Sequence, residues 1–173
     1  MTNPFAIFDL PVAFNVDQAI LSERYLALQK SLHPDNFVTA DAQEQRIAMQ
    51  KSTEVNDALK TLKDPILRAE AIIALNTGEA QDLEQKSTQD VAFLIQQLEW
   101  REELENIEQS QDENALESFA KRVKKETKEM LTALETQLNE QQWSTAAQFC
   151  DKLRFLKKLA DEISQVEERL FEL

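Results

Sequence analysis

The sequence predicts an all-α protein in two helical parts. Good helix formers, chiefly Leu, Ala, Glu, Gln and Lys, dominate its 173 residues, while glycine occurs once and proline four times. Over most of the chain, apolar residues recur every three or four positions, which is the period of an amphipathic helix. This pattern stops at a polar segment that contains Gly78, and it resumes near Gln89. We therefore predict an N-terminal domain at 1–76, a linker at 77–87 and a C-terminal domain at 88–173.

The N-terminal domain is predicted to form an antiparallel helical hairpin flanked by short helices. The short helices cover about 4–10 and 66–75. One long helix covers about 17–32, with Asp17 able to cap its start, and the other covers about 41–62. A short connection between two long helices favours antiparallel packing. The predicted core stripes are Leu21, Tyr25, Leu28 and Leu32 on the first long helix and Ala48, Ser52, Val55, Leu59 and Leu62 on the second.

The C-terminal domain is predicted to be a bundle of three longer helices. They cover about 89–109, 113–138 and 143–172, and Asp112 and Ser144 lie near the starts of the second and third. Three helices with short connections pack as a bundle. The predicted core faces are Phe93, Gln97, Trp100, Leu104 and Ile107 on the first helix and Leu153, Leu156, Ala160, Ile163 and Leu170 on the third.

The first helix of this bundle carries a second apolar surface, roughly 100–200° around the helix from its core face. Exposed apolar patches commonly mark binding sites, although a larger bundle could bury both faces. Phe155 lies about 110° from the core stripe of the last helix, where it either joins the exposed surface or covers an edge of the bundle. The residues on the second face are Val91, Leu94, Ile95 and Leu98, with the polar Glu99, Glu102 and Asn106.

Composition and charge exclude several classes of protein. The net charge is −13, and residues 79–173 carry 12 basic and 22 acidic side chains. The basic run 121–125 is isolated in this acidic domain, so we interpret it as a solvated helix face and expect no nucleic-acid partner. The chain has one histidine, one cysteine and no Gly-rich loop. We therefore expect no enzymatic activity, no metal site and no cofactor. No apolar run approaches the roughly 18 residues of a membrane span, and no signal peptide is visible, so we expect a cytoplasmic protein without a membrane partner.

The tripeptide His33-Pro34-Asp35 interrupts the helical hairpin. Pro34 cannot continue helical hydrogen bonding and disfavours the α conformation at His33, so the preceding helix must end near Leu32. His33 then lies in an extended, exposed turn, and Asp35 places a carboxylate one residue beyond the break. Taken alone, the tripeptide fits either a simple turn or a rigid loop that engages a partner without performing chemistry.

The residues around the tripeptide follow a recognisable order, namely Phe5, Phe8, Leu10, Tyr25–Lys30, Phe37, Asn56–Leu62, Asp64, Pro65, Arg68 and Ala69. This order resembles the J-domain, the co-chaperone module that stimulates ATP hydrolysis by seventy-kilodalton heat-shock chaperones. The resemblance covers about 4–75. It implies that His33, Pro34 and Asp35 contact the chaperone's nucleotide domain and linker, and that Arg24 and Lys30 belong to a basic docking face beside them.

Three further segments, 92–104, 117–125 and 152–159, are similar to the HscB family of bacterial iron–sulfur cluster co-chaperones. With them, the resemblance spans essentially the whole chain. It implies two partners, the DnaK-type chaperone HscA and the scaffold protein IscU, which the co-chaperone delivers to HscA while stimulating its ATPase. By position, the resemblance assigns scaffold binding to Leu94, Ile95, Leu98, Glu99, Glu102, Asn106 and Phe155.

The sequence departs from the family pattern at a few positions. Asn36 stands where many J-domains have Lys, and Glu23 adjoins Arg24, so the docking face is less basic and favours a specialised chaperone. Asn106 replaces an acidic residue of the bacterial pattern.

Two other functions remain alternatives to an iron–sulfur cluster co-chaperone. One is a general J-protein that serves other clients, and the other is a structural helical protein that carries the tripeptide by accident.

Overall fold

A computed structural model describes residues 2–78 and 90–171 of the chain. Within these ranges all regular secondary structure is helical, and the chain divides into two compact units, Met1–Glu79 and Ala80–Leu173. Residues 79–87 of the predicted linker lie outside the described part, as do the predicted start of a helix at 89 and the end of another at 172.

The described part of the first unit, 2–78, contains four α-helices and one turn of 3-10 helix. The first helix is shorter than predicted, because Phe8 ends it and Asp9 adopts a left-handed conformation with φ 51°. The 3-10 helix was not predicted, and it begins at the proline of the tripeptide. The elements are α1 (Pro4–Ile7), α2 (Gln18–Ser31), the 3-10 helix (Pro34–Phe37), α3 (Ala42–Lys63) and α4 (Pro65–Thr77).

Side-chain caps fix the ends of these helices. The Asp17 carboxylate accepts hydrogen bonds from the backbone N–H groups of Ala19 and Ile20, which confirms the predicted start of α2. Asp41 and Asp64 cap α3 and α4 in the same way. Gly78 ends α4 with φ 76°, a left-handed conformation that glycine adopts without steric cost.

The predicted stripes of the hairpin face its core. Leu21 on α2 is fully buried, and the remaining members of its stripe are half-buried. Ala48, Val55 and Leu62 on α3 are buried. Beneath them Arg68 of α4 donates a hydrogen bond of 2.6 Å to the Leu62 carbonyl and covers the Phe14 ring at 5.0 Å. Burial lowers the pKa of the Arg68 guanidinium, and the charge of Asp64 partly opposes that shift.

The described part of the second unit, 90–171, is a bundle of three helices. They are α5 (Val91–Ser110), α6 (Glu113–Asn139) and α7 (Trp143–Phe171), close to their predicted bounds. Asp90 and Asp112 cap α5 and α6. On α5 the predicted core face is correct, since Phe93, Leu104 and Ile107 are buried.

The predicted core stripe of α7 is partly wrong. Leu153, Leu156 and Ile163 are buried, but Ala160 is exposed and Leu170 is only half-buried. Leu159 and Val166, which the prediction omitted, are buried instead. This difference arises because α7 packs against both α5 and α6. Its buried residues therefore face the side of the helix that lies between these two neighbours.

Candidate functional site

The tripeptide forms an exposed loop between α2 and α3. His33 has extended backbone angles (φ −59°, ψ 138°), as Pro34 requires, and its carbonyl accepts a hydrogen bond of 2.9 Å from the Asn36 N–H. The side chains of His33 and Asp35 are 60% and 86% exposed. The His33 Nδ1 accepts from the Asp35 backbone N–H at 3.2 Å and lies 3.5 Å from the Asp35 carboxylate. The loop therefore presents one imidazole and one carboxylate to a partner.

Two side-chain amides hold this loop, and neither was identified from the sequence. The Asn36 Nδ2 donates to the carbonyls of Lys30 and Ser31 at 2.8 and 3.2 Å, which caps the end of α2. The Gln45 Nε2 donates to the carbonyls of Phe37 and Ala40 at 3.0 and 3.3 Å, which ties the far end of the loop to α3. One signal for Asn36 was present in the sequence, which is its place two residues after the proline that ends α2.

A third amide fixes the hairpin that carries the loop. The Asn56 Oδ1 on α3 accepts hydrogen bonds from the Tyr25 hydroxyl at 2.8 Å and from the Gln29 Nε2 at 2.7 Å. Both donors lie on α2, so this group joins the two long helices near the loop. Both hydrogen bonds are exposed, so each adds only modestly to stability.

The two basic residues predicted beside the loop have different environments. The Arg24 Nη1 donates to the carbonyls of Phe8 and Asp9 at 2.8 and 2.6 Å, so this half-buried side chain closes the connection between α1 and α2. Lys30 is exposed and lies in the last turn of α2. Lys30 is therefore free to meet an acidic partner, whereas Arg24 already serves the fold.

An apolar cavity of about 430 Å³ lies beside the loop. Its most exposed apolar members, Val38 and Met49, are each 72% exposed. Because α3 supplies one wall and the loop the other, an apolar side chain of a partner that binds the loop can enter here. The cavity is lined by Leu32, Pro34, Phe37, Val38, Gln45, Ala48, Met49 and Ser52.

The second candidate surface is the outer side of α5, here called the α5 face. Its apolar members are exposed to different degrees, from 37% for Leu94 to 68% for Leu98. The prediction of an exposed apolar surface edged with acids is therefore correct for α5, and the alternative of two buried faces is wrong. The α5 face consists of Val91, Leu94, Ile95, Leu98, Glu99, Glu102 and Asn106.

Phe155 does not belong to this exposed surface. Its side chain is only 8% exposed, because its ring packs edge-to-face against Phe93 at a centroid distance of 5.9 Å. The Arg101 guanidinium covers the same ring at 5.5 Å. The prediction that Phe155 extends the exposed patch is wrong, since α5 itself lies over that side of α7. The other interpretation, a phenylalanine that covers an edge of the bundle, fits the structure.

Two other acids of α5 form ion pairs that the acids of the α5 face lack within the described residues. Glu103 pairs with Arg122 of α6, and Glu108 pairs with Arg169 of α7 at 2.8 Å. Glu99 and Glu102 form no ion pair within the described residues. Their charges are therefore available to a partner, next to a shallow depression that also includes Asn106.

The basic side chains of the run 121–125 are exposed on α6, as predicted for a solvated helix face, and two of them are paired. Lys121 pairs with Glu117 one turn earlier at 3.3 Å, and Arg122 pairs with Glu103. Within the described residues there is no cluster of metal-ligating side chains, and no helix there is long and apolar enough to cross a membrane.

Comparison with known proteins gives the family. A family described as the HSCB C-terminal oligomerisation domain matches residues 89–164. The chain is 70% identical to the co-chaperone protein HscB homolog of Haemophilus influenzae over 173 residues, which covers 100% of this chain and 99% of the relative. This chain belongs to the HscB family.

Solved HscB structures share the whole fold. Chaperone HscB from Vibrio cholerae is 41% identical, with a TM-score of 0.94, and the match covers 98% of this chain and 100% of that chain. Human co-chaperone protein HscB is 28% identical, with a TM-score of 0.85 over 96% of this chain and 83% of that chain. These likenesses confirm the predicted all-α fold, with an N-terminal J-domain and a C-terminal three-helix bundle.

Membership of the HscB family defines the general role of the chain. HscB proteins are co-chaperones of iron–sulfur cluster assembly and are not enzymes. A co-chaperone of this family works with a chaperone of the seventy-kilodalton heat-shock type.

Proposed function

We propose that this chain binds the iron–sulfur scaffold protein IscU on its α5 face, delivers it to the chaperone HscA in the cytoplasm, and stimulates ATP hydrolysis by HscA through the loop His33-Pro34-Asp35. The observation that carries the proposal is the pair of exposed surfaces described above. Each is built on rigid helices, and each lies in a different compact unit. The chain therefore offers separate sites for the chaperone and its client.

The geometry of the loop supports its role at the chaperone. A loop that binds a chaperone loses less conformational entropy on binding if it is already ordered in the free protein. Asn36 and Gln45 supply this order by anchoring the loop to α2 and α3. His33 and Asp35 are exposed, and Lys30 lies close by in sequence. A partner surface with an acidic group for Lys30 and hydrogen-bonding groups for His33 and Asp35 can therefore contact all three at once. Binding that is stronger in the ATP-hydrolysing state shifts the chaperone toward that state.

The α5 face supports the role at the scaffold. Leu94, Ile95 and Leu98 offer apolar area on one helix. At the edge lie Glu99 and Glu102, which pair with no basic side chain in the described part of the chain and favour a partner with basic groups nearby. Asn106 keeps a polar group at the end of the face but no charge, so its part in attracting a basic partner is smaller. Phe155 contributes indirectly, because its buried ring supports α5 from below.

Joining the two sites in one chain gives a simple mechanism. A scaffold bound to the C-terminal domain at 88–173 is kept at a high effective concentration around any chaperone that the J-domain at 1–76 has bound. The chaperone then meets its client at the moment when the loop promotes ATP hydrolysis. We expect stimulation by the co-chaperone and the scaffold together to exceed the effect of either alone.

A titration of scaffold tests the α5 face directly. Leu94→Ala with Leu98→Ala should weaken the binding of purified IscU by roughly 1–3 kcal/mol for each anchor, measured by isothermal calorimetry. Leu26→Ala is a matched control, because Leu26 is 65% exposed on α2, similar to the 68% of Leu98 on α5. The control should bind like the parent. Equal affinity for parent and double variant would remove the α5 face from the scaffold interface.

A further inference from the structure

The apolar cavity beside the loop, here called the loop cavity, contains an oxidisable side chain. Met49 of α3 lines this cavity and is 72% exposed. A thioether that is open to solvent is accessible to oxidants, and its product is a polar sulfoxide. Met49 is the more exposed of the two methionines that the structure describes, and it lies beside the loop that we assign to the chaperone.

The other sulfur atoms in the described part of the chain are less accessible. Met130 on α6 is half-buried. Cys150 on α7 is fully buried, and burial, with a smaller contribution from the charge of Asp151, raises the pKa of its thiol to about 12. A protonated, buried thiol reacts poorly with peroxide, because the thiolate is the nucleophile. Among these three sulfur atoms, oxidation should therefore begin at Met49.

The loop cavity has few polar groups that can hydrogen-bond a sulfoxide. Among the described residues no ionisable side chain lines it, and its polar side chains are Gln45 and Ser52. The Gln45 Nε2 already donates to the carbonyls of Phe37 and Ala40, so both of its hydrogens are in use. When a partner covers the cavity, a sulfoxide oxygen at Met49 therefore loses its water and finds only the Ser52 hydroxyl as a donor in this lining.

We propose that Met49 is a site of reversible oxidation by peroxide, and that its sulfoxide weakens the binding of the co-chaperone to the chaperone. The modification takes place in the free co-chaperone, where Met49 is open to solvent. This inference rests on the proposed function, since it takes the loop and its cavity as the surface that binds the chaperone. Scaffold binding is unaffected, because the α5 face lies in the other compact unit.

The chemical step uses a peroxide as the oxidant and only the thioether of the protein. The sulfur lone pair attacks one oxygen of hydrogen peroxide, so an S–O bond forms and the O–O bond breaks. Both hydrogens of the peroxide leave with its second oxygen as water. Sulfur is oxidised by two electrons, and peroxide is reduced by two electrons. Methionine sulfoxide reductases reverse the change, with a dithiol supplying the electrons and protons and the oxygen leaving as water.

The sulfoxide acts on affinity for the chaperone and not on the maximal stimulated rate. Burial of a polar group without its hydrogen bonds opposes binding, so the concentration for half-maximal ATPase stimulation should rise by at least about fivefold. The tripeptide His33-Pro34-Asp35 is chemically unchanged, so the maximal rate should stay the same.

ATP hydrolysis by purified HscA, without scaffold, tests the proposal. Each co-chaperone sample is treated alone with hydrogen peroxide, separated from it by gel filtration and titrated into the chaperone. Peptide mass spectrometry measures the sulfoxide fraction at each methionine. In the parent, Met49 should be oxidised before Met130, and the half-maximal concentration should rise as the Met49 sulfoxide fraction rises. Both methionine sulfoxide reductases together with dithiothreitol should restore the original value.

Three variants separate Met49 from other sites of oxidation, and each is compared before and after peroxide. Met49→Leu should lose the response to peroxide, whatever its own starting value. Met130→Leu is the matched control, because it makes the same change at a half-buried position in the other unit, and it should respond to peroxide like the parent. Met49→Gln places a permanent polar group in the loop cavity and should show a raised half-maximal concentration without any treatment.

Several results would overturn the inference while the proposed function stands. They are a parent that stimulates equally well with Met49 intact and with Met49 fully converted to sulfoxide, a Met49→Leu variant as sensitive to peroxide as the parent, a Met49→Gln variant with the curve of the untreated parent, and oxidation at Met130 before Met49. An untreated parent that gives no stimulation would instead contradict the proposed function, and this inference with it.

Discussion

Asn36 and Gln45 act on the loop at the scale of single residues. Both are amides that donate two hydrogen bonds each to backbone carbonyls, and together they hold the loop at both ends. His33 and Asp35 have few contacts of their own, since both are exposed. The position of the functional side chains is therefore set by neighbours that we do not expect to touch the chaperone.

Asn36→Ala should weaken the action on the chaperone without affecting the scaffold. Loss of its two hydrogen bonds frees the end of α2 and lowers the fraction of loops in the binding conformation, which raises the apparent dissociation constant by the same factor. We expect the concentration for half-maximal ATPase stimulation to rise by about three- to tenfold, with the maximal rate and scaffold affinity unchanged.

Gln43→Ala is a control for this change, because Gln43 is an exposed residue of α3. Gln43→Ala should not change the concentration for half-maximal ATPase stimulation. An unchanged curve for Asn36→Ala would show that the loop is ordered without this side chain.

At the scale of helices, capping residues and apolar periodicity predicted most helix bounds and buried faces correctly. Asp17, Asp41 and Gly78 mark helix ends in the sequence because capping depends on residues next to one another. Phe155 and Ala160 were misplaced because their burial depends on where α5 crosses α7, and no local pattern encodes that crossing. The loop tripeptide was found from its proline, but the amides that hold it were not, since each bonds to backbone groups several residues away.

Phe155 tests the packing of α5 on α7. Because its ring is buried against Phe93 and beneath Arg101, Phe155→Ala should destabilise the protein by about 3–5 kcal/mol. Leu98→Ala, at an exposed position on the neighbouring helix, should change stability by less than about 0.5 kcal/mol. Urea denaturation followed by circular dichroism separates the two. Similar midpoints for both variants would contradict the buried position of Phe155.

At the scale of the whole molecule, each compact unit has its own apolar core. Phe5, Leu21 and Leu62 are fully buried in the first, and Leu134 and Leu159 are fully buried in the second. The unit boundary near residues 79 and 80 supports our proposal of separate domains, although the predicted linker itself lies largely outside the described residues.

Fragments test the independence of the units. A fragment 1–79, which retains the Gly78 cap of α4, should fold alone and stimulate the chaperone weakly, with no added effect of scaffold. A fragment 80–173 should fold and bind scaffold without stimulating the chaperone. Thermal melts by circular dichroism report folding. Cooperative melting only in the intact chain would indicate a single shared core.

We propose that one chain connects the scaffold to the chaperone and acts on the chaperone through the loop His33-Pro34-Asp35. The most direct measurement is steady-state ATP hydrolysis by HscA with saturating IscU, comparing the parent with His33→Gln. Exposure of His33 means that the variant should keep its helical circular dichroism and its scaffold affinity. We predict that the parent stimulates hydrolysis more with scaffold than without it, and that the variant gives no stimulation in either case. A folded, scaffold-binding variant that stimulates as strongly as the parent would show that His33 does not act on the chaperone.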